Sequence, residues 1–321
     1  MAACFVIEAA TQAAIERAAR ILRDGGLVAF PTETVYGLGA NAFDATAVAR
    51  IFEAKGRPRF DPLIVHVCDD AMLHAVVSEI SAPARALVAR FWPGPLTLVL
   101  PKAARVPELV TAGLPTVGVR MPAHPVARAL IERAGVPLAA PSANPFGFLS
   151  PTRAAHVDRM LGDRVDAILD GGPSTHGLES TIVLLDPEPV LLRPGALAAE
   201  EIEAVSGPLQ RHLSDEAAPL APGRLSRHYA ARTPIRVVDE GDGAVVGRER
   251  AAVLAWRHLP EGYAAGRVLS AAGDLREAAA GLFERLHELD ELGLERIDVQ
   301  AVPETGLGLA IMDRLRRART V

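Results

Sequence analysis

"DATAVARIFEAKGRPRFDPLIVHV", residues 44–67, shows the organisation of the chain in one stretch. Residues 44–55 read as a helix that Gly56 stops. Leu63 to Val67 then read as a short buried strand. Between them stand three cations within five residues, Lys55, Arg57 and Arg59, followed by Asp61 and Pro62. Helix, polar turn and apolar strand together make an α/β unit. The turn leaves three functions open: a nucleic-acid grip, a solvated corner, or one wall of an anion site.

The same alternation runs outward in both directions. Upstream, "TQAAIERAARILRDGG" has a cap candidate in Thr11, helical apolar spacing and a Gly25-Gly26 stop, and "LVAF" follows as a strand. Downstream, "APARALVARFW" and "PVARALIERAG" read as helices. "LTLVL", "TVGVRMP", "VPLAA", "VDAILDGG", "STIVLLD" and "VLLRPG" read as strands. "SPTRAAHVDRML" predicts a helix with Ser150 as cap and Pro151 at its first position. Several strands follow one another without an intervening helix, so the sheet is expected to be mixed. Near residue 205 the pattern lapses into a Pro-, Gly- and charge-rich stretch, and a second α/β pattern begins at "PIRVV". The expected division is 1–205, a linker 206–233 and a second unit 234–321.

Composition narrows the function. A chain of 321 residues usually holds more than one core. The net charge is -5, whereas a chain gripping nucleic acid by bulk electrostatics would normally be basic, so any anion site is local. The two cysteines, Cys4 and Cys68, exclude a disulfide scaffold or cysteine-rich zinc site and suit a reducing cytoplasm. No secretory leader and no bilayer-length apolar run is seen, so no membrane partner is expected. P-loop, G-x-G-x-x-G, nucleophile-elbow and H-E-x-x-H patterns are absent. "ETGLGLAIM" reads as a turn and cap.

What remains is a set of polar loops at strand ends, where α/β sheets bind ligands. "FPTETVYGLGAN" offers Thr32, Thr34 and Tyr36. Lys55 and Arg57 alone suit a solvated turn, and His66 alone suits a satisfied strand histidine. Arg120 differs, because a guanidinium in a buried strand needs an anionic or hydrogen-bonding partner. Ser142, Asn144 and Ser150 sit among Pro and Gly, Ser180 and Thr181 open a strand, and Arg193 closes one. Four cations with small hydroxyl residues between them suit a polyphosphate or a carboxylate. With no nucleophile evident, chemistry there would rest on positioning and charge neutralisation, with Mg²⁺ riding on phosphates.

These stretches, in their order, resemble the YrdC/Sua5 family: "FPTETVYGLGAN", "KGRP", "DPLIVH", "FWPGPLTLVL", "TVGVRMPAHP", "APSAN", "SPT", "DGGPSTHGLESTIV" and "LLRPG". Lys55/Arg57 and Ser142/Asn144 stand at the family's Lys-x-Arg and Ser-x-Asn signature. The second unit is similar to the Sua5-type C-terminal domain. The resemblance implies a twisted open mixed α/β sheet with a concave active-site face, plus a smaller Rossmann-like α/β domain. It implies synthesis of threonylcarbamoyl-AMP and diphosphate from L-threonine, bicarbonate and ATP, a nucleotidyl transfer. The product would serve a downstream threonylcarbamoyl transferase that modifies tRNA. Thr32, His66, Arg120 and Ser180 would hold threonine. Lys55, Arg57, Thr116, Ser142, Asn144, Ser150 and Arg193 would hold ATP, with Tyr229 closing over it. No protein nucleophile is implied. Asp61 replaces a usual Asn and would sit beside the phosphates, paired with Arg57 or Arg59 or helping Mg²⁺. Leu225 and Ser226 replace a usual lysine and tyrosine in the linker. The competing function is a YrdC-type module that binds RNA without making an adenylate. A carbamoyl-transfer enzyme of the hydrogenase-maturation type would need zinc-finger and acylphosphatase regions that this chain lacks. The basic end, Arg314, Arg316, Arg317 and Arg319, reads as a solvated helix end.

Overall fold

The computed structural model describes residues 7–186, 188–211, 222, 228–239 and 246–319. Cys4, Leu225 and Ser226 lie outside the described residues. The first sheet contains β1 (Ile7–Ala9), β2 (Val28–Phe30), β3 (Gly37–Asn41), β4 (Ile64–His66), β5 (Leu96–Pro101) and β6 (Thr116–Arg120). It continues with β7 (Leu138–Ala139), β8 (Ala167–Asp170), β9 (Thr181–Leu184), β10 (Val190–Arg193) and β11 (Gln210–Arg211). Their spatial order is β1-β8-β2-β3-β7-β4-β6-β5-β9-β10-β11. β4 and β6 pair in parallel, whereas β4 with β7 and β5 with β6 pair antiparallel, so the sheet is mixed as expected. The second sheet, β12 (Ile235–Val238), β13 (Ala251–Ala255), β14 (Ala265–Val268) and β15 (Arg296–Gln300), is all parallel in the order β12-β15-β13-β14.

The helices form where the sequence supplies caps. Thr11 accepts from the Ala14 amide and starts Gln12–Arg23. Gly56, at φ 62°, ends Ala45–Lys55 in the left-handed conformation that glycine adopts without penalty. One expected cap fails. The helix after Ser150 begins only at Ala154 with no side-chain cap, because the Ser150 hydroxyl is turned inward onto Glu179. The polar stretch after β2 also holds a strand, β3, whose glycines let it lie against the Phe30 ring. No helix among the described residues is long and apolar enough to cross a membrane.

The two sheets share packing. Val35, Leu149, Leu178 and Ala196 from the first unit join one apolar cluster with Phe283, Leu286 and Ile311 of the second. The loop before β9 presses onto the helix Leu275–Asp290 so closely that a Cβ on Gly177 would stand 2.3 Å from the Ala280 carbonyl oxygen. Gly177 is also at φ 66°. Across the same junction His156 stacks on His287 with ring centroids 4.0 Å apart, and Arg153 pairs with Glu284 at 2.5 Å.

Burial holds these histidines neutral. It lowers His66, His156 and His228 to about 3 and His287 to about 4. The unfolded chain takes up these protons near pH 6.5, but the folded chain does so only near pH 3–4, so stability falls as pH falls through that window. The unfolding midpoint is therefore expected to drop steadily from pH 6.5 to 4, ahead of carboxylate protonation. A flat midpoint over that range in thermal melts would contradict it.

Candidate functional site

Strand periodicity builds the site. Side chains two residues apart share a face of a sheet. Val65, Val117, Val119, Leu98 and Val183 point into the main core. The opposite face carries a small apolar floor of Ile64, Val99, Ile182 and Leu192. His66 and Arg120 continue that face and stand opposite one another in the β4–β6 register. Over it lies a cleft roofed by the loop from β2 to β3, the segment after β7, Glu179–Ser180, Arg193, Pro222 and His228–Tyr229.

At one end of the cleft Arg120 is 3% exposed and fully engaged along one side. Its Nε donates to the Gly94 carbonyl at 3.1 Å, and Nη1 donates to the Thr34 hydroxyl at 2.8 Å. Nη2 forms an ion pair with Glu33 at 2.6 Å. Burial works against the Glu33 charge, but Arg120 outweighs it and the carboxyl sits at about 2. Thr32 and Thr34 share a hydroxyl–hydroxyl bond of 2.8 Å, and Thr32 also donates to the Val35 carbonyl. His66 is 4% exposed, and its Nδ1 has no hydrogen-bond partner among the described residues. Burial and then Arg120 keep its imidazole neutral.

The other end is cationic. Lys55 Nζ is buried and donates to the carbonyls of Ser142, at 2.6 Å, and Asn144. Burial and the neighbouring Arg57 push this ammonium well below the usual lysine range. Arg57 donates to the carbonyls of Asp61 and Pro62 and forms a buried ion pair with the Asp61 carboxylate at 2.8 Å. Asp61 therefore pairs with Arg57, and Arg59 plays no part in that pairing. Arg193 donates to Ser180 O at 2.9 Å, to Ser180 Oγ at 3.2 Å and to Pro222 O at 3.2 Å. Ser180 Oγ also meets Thr97 Oγ1 at 2.7 Å.

The mouth is lined by His228 and Tyr229. Tyr229 is 1% exposed and sits at φ 66°, a costly conformation for a residue with a Cβ. It is held by the Phe283 ring, by the Arg314 guanidinium 5.1 Å from its centroid, and by the bridge between Phe148 and Ala230. Neither its hydroxyl nor His228 Nδ1 has a hydrogen-bond partner among the described residues.

Residues 20–195 match the Sua5/YciO/YrdC family model, described as telomere recombination. Residues 197–319 match the C-terminal domain of threonylcarbamoyl-AMP synthase. The chain belongs to the Sua5/YciO/YrdC family, in its long form with the second domain. It is 47% identical to threonylcarbamoyl-AMP synthase of Pyrococcus abyssi, over 95% of this chain and 93% of that one. The synthase of Bacillus subtilis is 45% identical over 95% and 92%. The crystal structure of P. abyssi Sua5 complexed with L-threonine superposes with a TM-score of 0.88 at 45% identity, covering 95% of this chain and 93% of that one.

Of the residues singled out from the sequence, Thr32, Arg57, His66, Arg120, Ser142, Ser180, Arg193 and Tyr229 line the cleft. Lys55, Asp61, Asn144 and Ser150 lie just behind its lining, bonded to it or to one another. Thr116 lines a smaller adjoining pocket that shares Ile64 and Pro222 with the cleft. Glu33, Glu179 and His228 were not singled out. The acids in "PTET" and "GLES" lie within motifs that were, and the buried arginines beside them were the available signal. No group of three His, Cys, Asp or Glu side chains able to hold a metal occurs among the described residues. The described side chains thus form no cage for Mg²⁺.

Replacing Asp61 with Ala leaves the Arg57 charge buried and unpaired. It is expected to cost roughly 3–5 kcal/mol of stability in urea unfolding. A loss below about 1 kcal/mol, the size of a surface pair, would contradict the pairing.

Proposed function

We propose that the cleft makes L-threonylcarbamoyladenylate and diphosphate from L-threonine, bicarbonate and ATP. One observation carries this most directly. The cleft holds a braced guanidinium at one end and buried cations at the other, and between them its lining carries hydroxyls, a neutral imidazole and the Glu179 carboxylate, which is already paired with Arg314. That arrangement suits an amino-acid carboxylate facing a nucleotide's phosphates, and it calls for no covalent intermediate on the protein.

In this reading Arg120 takes the threonine carboxylate. Nη1 has one hydrogen directed to Thr34 and Nη2 is ion-paired with Glu33 without a hydrogen bond, so both terminal nitrogens have hydrogens left for a bidentate contact. Thr32, His66 and Ser180 complete the threonine pocket. The neutral His66 can bond the amine or the carbamate without adding charge beside Arg120. Lys55, Arg57, Thr116, Ser142, Asn144, Ser150 and Arg193 serve ATP, with Asp61 tempering the Arg57 charge and Tyr229 covering the nucleotide. Bicarbonate carboxylates the threonine amine with loss of water. The carbamate oxygen then bonds to the α-phosphorus, and the bond from that phosphorus to the bridging oxygen breaks. Diphosphate leaves with the electron pair. The cations stabilise the charge that develops on the phosphate oxygens. Mg²⁺ would travel on the triphosphate.

We further propose a catalytic unit 1–205, a linker 206–233 that shuts the cleft, and a C-terminal unit 234–321. The adenylate would pass to a cytoplasmic transferase that modifies tRNA.

Purified protein given ATP, bicarbonate and L-threonine should yield the adenylate by mass spectrometry, with diphosphate release that requires threonine. Release indifferent to threonine, or RNA binding without turnover, would overturn the assignment. Within it, Arg120→Ala should raise the threonine KM by about tenfold or more and Lys55→Ala should do the same for ATP. Unchanged constants for both substrates in both variants would refute the residue map.

A further inference from the structure

The basic end of the chain is not a solvated helix end. On the final helix, Leu307–Ala318, Arg314 is 1% exposed, among the most buried large side chains of the molecule. Arg316 fits the sequence expectation, pairing with Glu304 on the surface, whereas Arg317 is partly buried and pairs with Asp313. Arg314 instead crosses to the first unit. Its Nε donates to Glu179 Oε2 at 2.8 Å, and Nη2 donates to the Pro194 carbonyl at 2.9 Å. On its own helix Nη1 donates to Asp313 at 2.6 Å.

Glu179 is the carboxylate that this contact controls. It lines the cleft, and its second oxygen accepts from the Ser150 hydroxyl. Burial pushes its carboxyl up, but Arg314 and then Arg193 outweigh that, and it stays ionised. Glu179 lines the same cleft as Arg57, Arg193 and His228, which places this acid within reach of the cationic end. A buried negative charge there would repel a triphosphate. Its counter-charge can come from Arg193 or from Arg314. All of the hydrogen bonds of Arg193 among the described residues go to neutral groups of Ser180 and Pro222, so Arg193 acts on Glu179 only at a distance, whereas Arg314 bonds it directly.

We propose that Arg314, supplied by the second domain, is a positioning residue for ATP. It neutralises Glu179, leaves the Arg193 charge for the phosphates, and supports the Tyr229 ring at the mouth. The C-terminal domain is then part of the nucleotide site rather than only an anchor for the linker. The proposal rests on the ATP-dependent reaction above and extends it.

The test is calorimetric titration of the full chain with ATP and, separately, with L-threonine. Failure of the parent protein to bind ATP would overturn the proposed reaction itself. With ATP binding by the parent established, Arg314→Met should weaken ATP by about tenfold or more and leave threonine within about twofold. Adding Glu179→Gln to that variant should restore ATP affinity to within about threefold of the parent, a rescue that loss of packing alone would not permit. An Arg314→Met protein with parental ATP affinity, or a double variant as weak as the single one, would overturn the proposal. Where Arg314→Met does not fold, Glu179→Gln alone decides. It should bind ATP at least as tightly as the parent, and about tenfold weaker binding would contradict the repulsion on which the proposal stands.

Discussion

The site depends on guanidinium groups held out of water, each with a partner that fixes it. Arg57, Arg120, Arg193 and Arg314 are all less than a tenth exposed. A buried charge without a partner is too costly to persist, so each demands a carboxylate or a set of carbonyls. Arg57 has Asp61, Arg120 has Glu33, and Arg314 has Glu179 and Asp313. Arg193 has carbonyls and a hydroxyl. The pairings settle where charge is cancelled and where it remains. It remains at Arg193, which bonds only neutral groups among the described residues, at the end that we assign to phosphates.

The sheet makes this arrangement affordable. Alternation along β4 and β6 sends valines into one core and His66 and Arg120 to the other face. Polar groups can therefore gather over a small apolar floor while the main core stays dry. The second domain contributes to the same face, since its apolar cluster is continuous with Val35 and Leu178 beside the cleft. Closure by Tyr229 in a strained backbone conformation follows from that contact, because Phe283 and Arg314, which hold the ring, both belong to the second domain.

Much of this was legible in the sequence. Thr11 and Gly56 bounded helices where their capping chemistry placed them, and "LIVHV" and "TVGVR" formed strands. Arg120 declared itself, because no buried strand tolerates a lone guanidinium. The partners were harder to see. Glu33 and Glu179 sit in polar loops, and nothing local says that such an acid folds inward rather than into solvent. Arg314 lies in a run of arginines that looks solvated, and its partner is 135 residues away in sequence. Ser150 looked like a cap because Pro151 follows it, yet long-range bonding to Glu179 won over local geometry. In each case the missing information was a tertiary contact, which periodicity and spacing do not encode.

A crystal structure of the full chain with L-threonine and a non-hydrolysable ATP analogue tests the central claim most directly. The account predicts the amino-acid carboxylate on Arg120 and the triphosphate along Lys55, Arg57 and Arg193, with Glu179 still paired to Arg314. A nucleotide bound away from these cations, or a threonine carboxylate that leaves Arg120 untouched, would contradict it.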